Sequence, residues 1–197
     1  TEGMLFALYI TVFVCAAWRL LDHRQESRMS DVVSSTFAAV YVPFLASFVV
    51  LMMAAWHNAW VFVVFELMVI ANDTGGWAAG VMFGKHPMAP ALSPKKSWEG
   101  FAGSALTAIV VGVVGLWLLG ASWWWGVVAG ISIAFVGTMG DLTESLIKRE
   151  AGLKDMSQIL PGHGGVLDRV DALLMSAPVA YFIFAWALPG ISWESSH

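Results

Sequence analysis

The amino-acid sequence predicts an all-α fold, a polytopic integral membrane helix bundle with about six transmembrane helices, and three observations predict it. Hydrophobic residues fill 58% of the 197 positions and charged residues 12%, about half the charged share of a soluble domain. Apolar runs of about 20 residues, long enough to cross a bilayer as helices, recur along the chain. The ten lysines and arginines fall on alternate connections between those runs.

The first run covers 3–21. No basic segment precedes it and no small-residue cleavage site follows it, so it reads as a spanning helix and not as a signal peptide. The start at Thr1-Glu2-Gly3 does not resemble a natural beginning, and an N-terminal part is expected before it. Cys15, the single cysteine, excludes an intrachain disulfide and reads as a small packing residue. Further spans are expected at 35–56, 59–83, 99–120, 123–147 and 167–189. The third is interrupted by Asn72-Asp73-Thr74, with a flexible Gly75-Gly76 pair behind it, and the fifth ends in Gly140-Asp141-Leu142-Thr143-Glu144. Residues 1–58 hold the N-terminal spans and 59–197 the polar motifs, within one continuous membrane domain.

Basic residues set the orientation. Arg19, Arg24 and Arg28 lie at the first connection, Lys85, Lys95 and Lys96 at the third, and Lys148, Arg149, Lys154 and Arg169 at the fifth. The second and fourth carry none. The positive-inside rule makes the basic side cytoplasmic, and Trp56, Trp60, Trp123 to Trp125 and Trp193 then form an aromatic belt at the other interface. Gly76, Gly80 and Gly84, and separately Gly126 and Gly130, stand at the spacing that lets membrane helices approach closely.

Ionisable residues inside such spans are costly, by roughly 2.5 kcal/mol or more near the centre. Glu66 reads as a structural hydrogen-bonding group between helices. Asp141, Glu144, Ser145 and Lys148 form one stripe on a helix end. Asp168 and Asp171 open the last helix, where a carboxylate is also favoured by the helix dipole. With Asp73, these acids reach one depth on one side, among lysines and arginines. Such oxygen ligands suit Mg²⁺ bridged to substrate phosphates. The loop Pro161-Gly162-His163-Gly164-Gly165 allows an anion nest in front of a helix N-terminus, and equally a plain turn. Lys95 and Lys96 read either as lipid headgroup anchors or as holders of phosphates.

Three segments carry a family resemblance. Ser145-Leu146-Ile147-Lys148-Arg149, Lys154-Asp155 and Leu160 to Asp171 resemble the signature of the phosphatidate cytidylyltransferases, or CDP-diacylglycerol synthases. Asn72-Asp73-Thr74-Gly75 with Gly80 and Phe83-Gly84-Lys85, and Ser93-Pro94-Lys95-Lys96-Ser97-Trp98-Glu99-Gly100, look like the same family. The resemblance covers roughly 60–185 and departs from the common pattern at Ser97 and Trp77.

The resemblance implies a membrane-bound nucleotidyltransferase of phospholipid biosynthesis, with 59–197 as its catalytic domain. CTP and phosphatidic acid would give CDP-diacylglycerol and pyrophosphate. It implies a two-cation centre on Asp141 and Asp168, with Mg²⁺ and room for a second cation such as K⁺, and Asp171 and Glu144 in support. Lys95, Lys96, Lys148, Arg149 and Arg169 are then expected to hold phosphates, with Lys154 beside them. Ser145 and His163-Gly164-Gly165 are expected to position the triphosphate. Asn72, Asp73 and Ser93 are expected around the nucleotide or a cation. The expected partners are CTP, phosphatidic acid and membrane lipids, with a homodimer allowed and no nucleic acid. The expected location is the inner membrane, with the site facing the cytoplasm. Two other functions remain open. A CTP-dependent lipid-alcohol kinase would release CDP instead of pyrophosphate. A transporter would spread its acids across the bilayer depth, whereas here only Glu66 lies deep.

Overall fold

The computed structural model describes residues 10, 13–14, 17, 29–56, 58–90, 93–150 and 167–188, without the side chains of 29–40, 42, 94–95, 144, 147–150 and 167–171. The elements run α1 (Met29–Trp56), α2 (Ala59–Phe83), β1 (Pro87–Ala89), β2 (Ser93–Ser97), α3 (Trp98–Leu118), α4 (Trp123–Glu150) and α5 (Leu167–Ala187). The chain is thus mainly helical, and the expected helices at 35–56, 59–83, 99–120, 123–147 and 167–189 each match one of these. The expected span at 3–21 lies largely outside the described residues. Among the described residues, three helices are long and apolar enough to cross a membrane: Ala59–Phe83, Trp98–Leu118 and Trp123–Thr143. Pro43–Trp56 and Ala172–Ala187 are shorter apolar helices.

Two compact units divide the chain, Thr1–Phe48 and Val49–His197. In the first, Phe44 and Phe48 meet edge to face at 5.5 Å, one helical turn apart. The second contains every described residue of the expected site.

Glycine sets the packing of the second unit. A Cβ on Gly75 would lie 2.8 Å from the Gly103 carbonyl oxygen, and one on Gly103 would lie 2.7 Å from the Gly75 carbonyl oxygen. Backbones this close leave no room for side chains, and in lipid such contact is what holds helices together. Gly75 and Gly76 are therefore not a flexible break: α2 runs through Asn72-Asp73-Thr74 and both glycines without interruption. Two hydroxyls from α3 reinforce the crossing. Ser104 Oγ donates to the Asn72 carbonyl and Thr107 Oγ1 to the Ala71 carbonyl, both at 2.7 Å. The α3–α4 contact uses the expected Gly126 and Gly130, where a Cβ would come within 2.5 Å of Gly112 C and of Ile109 Cα.

The turn between α3 and α4 is short because Gly120 takes φ +91°, a left-handed conformation open to glycine. Gly120 N–H donates to the Trp117 carbonyl and Ala121 N–H to the Leu116 carbonyl, which satisfies the helix end. Helices α2, α3 and α4 consequently alternate in direction. Phe65 and Met68 of α2, Leu116 of α3, Ile133 of α4, Phe184 of α5 and Met52 near the end of α1 are fully buried. Trp60, Trp123 and Trp186 are exposed, as lipid-facing indoles would be.

The connection from α2 to α3, expected as a loop, is a two-stranded antiparallel hairpin. Pro87 pairs with Ser97 and Ala89 with Ser93, with a register shift between the two pairs. The five-residue β2 faces a three-residue β1, so the strand that carries both lysines is the one with extra length.

Candidate active site

The site forms at the end of the bundle where α2 finishes, α3 begins and α4 finishes. Lys96 on β2 reaches across the bundle, and its ammonium pairs with Asp141 Oδ2 on α4. The two residues are 45 positions apart in sequence. Their side chains are 25% and 40% exposed, so the pair is open to solvent and to a ligand.

Local structure puts each partner in place. Asp141 follows Gly140 on an unbroken helix that continues to Glu150. Ser145 Oγ donates to the Asp141 carbonyl at 2.8 Å, one turn back along α4. That hydroxyl is engaged with its own helix. On the other side, Ser97 caps α3, its Oγ accepting from Gly100 N–H at 3.1 Å. Such a cap stabilises a helix start by about 1 kcal/mol, and here it fixes the point where β2 becomes α3.

Glu99, in the first turn of α3, closes the base of the hairpin. Its Oε2 accepts from Lys85 N–H and His86 N–H, each at 3.2 Å. Its Oε1 lies 2.6 Å from His86 Nδ1. The Trp98 N–H donates to the His86 carbonyl at 3.0 Å.

Asn72 and Asp73 sit near the middle of α2, about three turns before its end at Phe83. Asn72 is 5% exposed, and its Nδ2 donates to Asp73 Oδ1 at 3.1 Å. Its own Oδ1 is buried and finds no hydrogen-bond partner among the described residues, and the same holds for Ser176 Oγ on α5. Gly137 of α4 lies between them: a Cβ there would be 3.3 Å from Asn72 Nδ2 and 3.8 Å from Ser176 Oγ. Asn72 therefore orients Asp73 from within the bundle, while Asp73 is exposed.

Of the other expected site residues, Ser93 begins β2 and is half-buried. Lys95 lies on β2, Glu144, Lys148 and Arg149 on α4, and Asp168, Arg169 and Asp171 in the first turns of α5. The side chains of these seven are outside the description. Lys154, His163, Gly164 and Gly165 lie outside the described residues altogether. Sequence reasoning missed Glu99, His86, Ser104 and Thr107. Ser97 ahead of an acidic first turn did mark a helix start, but nothing local showed that the Glu99 carboxylate would turn back 13 and 14 residues.

The Asp141 carboxylate is a hard oxygen donor, partly exposed and already facing a positive group, the Lys96 ammonium. Among the described residues, no three His, Cys, Asp or Glu side chains stand close enough to hold a metal ion.

An apolar helical bundle with a lysine and an aspartate joined at one end defines a class: helical membrane proteins with a charged mouth. The comparisons narrow it. A family model described as "Cytidylyltransferase family" matches residues 2–187, and the chain belongs to that family. It is 42% identical over 186 residues to a phosphatidate cytidylyltransferase of Mycobacterium bovis, covering 87% of this chain and 60% of the relative. The corresponding protein of Mycobacterium tuberculosis is also 42% identical, with 56% of its length covered. A phosphatidate cytidylyltransferase of Haemophilus influenzae is 40% identical over 136 residues, 66% of this chain and 47% of the relative. The chain thus spans about three fifths or less of the length of these relatives.

Proposed function

We propose that the protein transfers the cytidylyl group of CTP to phosphatidic acid, forming CDP-diacylglycerol and pyrophosphate. The observation that carries this reading is the Lys96–Asp141 pair, set at the membrane mouth of a chain similar to phosphatidate cytidylyltransferases over 87% of its length. Both substrates are polyanions, so the demand on the protein is to neutralise and align charge. A phosphatidate oxygen, already ionised at neutral pH, attacks the α-phosphorus of CTP. The bond from that phosphorus to the bridging oxygen breaks, and pyrophosphate leaves with the electron pair. No strong protein base is needed.

In this reading Lys96 and Lys95 approach the phosphates from the hairpin, and Lys148, Arg149 and Arg169 from α4 and α5. Asp141, Asp168 and Asp171 would hold Mg²⁺, with a second cation such as K⁺ beside it. When bound, the metal supplies positive charge to the phosphate oxygens. Asn72 keeps Asp73 directed outward toward the nucleotide. The basic connections support a cytoplasmic site and six spans in an inner membrane. In that arrangement CTP enters from the water and the lipid headgroup from the side.

Product analysis with α-labelled CTP and phosphatidic acid tests the reaction. Labelled CDP-diacylglycerol with stoichiometric pyrophosphate is expected. Release of labelled CDP would assign the chain to γ-phosphoryl transfer instead.

A further inference from the structure

We infer that Glu99 is a positioning residue that places Lys96 through the backbone of the hairpin, an assignment that rests on the proposed role of Lys96 in holding CTP phosphates. Both of its oxygens are engaged. Oε2 takes the consecutive N–H groups of Lys85 and His86, and Oε1 takes His86 Nδ1. A carboxylate receiving two adjacent backbone N–H groups holds them with charge-assisted bonds, stronger than bonds between neutral groups.

Those two residues enter the hairpin. Pro87 comes next and pairs with Ser97, the neighbour of Lys96. The Trp98 N–H returns to the His86 carbonyl. The path from Glu99 to Lys96 is therefore one strand pair long. Gly84, the C-cap of α2, offers little stiffness of its own. Without the carboxylate, α2 and β1 would be joined through Gly84 and two unanchored amides. Glu99 touches no substrate in this account, and its effect runs through the ammonium that meets Asp141.

Glu99→Gln keeps an oxygen for both amides and an N–H₂ that can donate to His86 Nδ1 (the tautomer adapts), whereas Glu99→Ala removes every contact. The test is a double-mutant cycle in protein reconstituted in lipid nanodiscs. Glu99→Ala is expected to raise the KM for CTP by up to about 100-fold, the scale on which a misplacement of about 1 Å acts, and to leave the KM for phosphatidic acid unchanged. Glu99→Gln should restore the CTP value. In a Lys96→Met background, Glu99→Ala should add nothing, because the group it positions is gone.

Additive effects of the two substitutions would overturn the assignment. So would a loss confined to kcat, which is what fewer folded molecules produce. A second measurement does not depend on turnover: the rate at which an acylating reagent labels Lys96, read by mass spectrometry. It should rise in Glu99→Ala and not in Glu99→Gln. Unchanged labelling in Glu99→Ala would refute the positioning role even if CTP is consumed. A wild-type protein that makes no CDP-lipid would count against the proposed reaction, and the labelling result would then decide the role of Glu99 alone.

Discussion

Replacing Lys96 with methionine separates a structural ion pair from a substrate-binding one. Methionine keeps most of the aliphatic stem and removes the ammonium that meets Asp141. The structural part is small. With side chains 25% and 40% exposed, solvent screens the pair, and its loss should cost at most about 1 kcal/mol of stability. The functional part is larger if the ammonium faces phosphates whose charge shifts during transfer. A preorganised charged donor of that kind contributes about 3 kcal/mol to a transition state, or about 100-fold in rate. Thermal unfolding in detergent should therefore barely move, while the initial rate of CDP-diacylglycerol formation falls by about two orders of magnitude. A variant with nearly wild-type turnover would refute the assignment of Lys96 to the phosphates. A large loss of stability would show instead that the pair is structural.

Two further outcomes follow from the geometry and the proposed chemistry. Asp168→Asn should abolish turnover while the protein still folds and inserts; near-normal activity would remove Asp168 from the cation site. Gly126→Leu should lower the unfolding temperature markedly, because its first side-chain atom would fall 2.5 Å from the Gly112 carbonyl carbon; overpacking of this kind costs about 1–3 kcal/mol, and more against backbone.

Helices were legible in the sequence wherever the bilayer imposes its own rule. A run such as 59–83 must satisfy all its backbone groups internally, so its ends could be read to within a residue or two of Ala59–Phe83. The glycine steps at Gly126 and Gly130 were legible for the same reason, since only small residues permit such contact in lipid. The hairpin was not legible. Ser93-Pro94-Lys95-Lys96-Ser97 has little strand propensity, and its pairing depends on where α2 ends and α3 begins. Gly75-Gly76 was misread as flexible, because its role is to let α2 pack against Gly103 and Ser104 of the neighbouring helix, a contact the local sequence does not show.

By itself, the sequence determined that this is an apolar helical protein whose charges gather at alternate connections, because length, hydrophobicity and charge act locally against a bilayer. Only the tertiary structure decided which charges meet. Lys96 finds Asp141 across 45 residues, and Glu99 takes the amides of Lys85 and His86. Those meetings depend on the close approach of α2 to α3 and of α3 to α4. A glycine step marks a surface that can approach closely, but it does not say which helix it meets or which side chains that approach brings together.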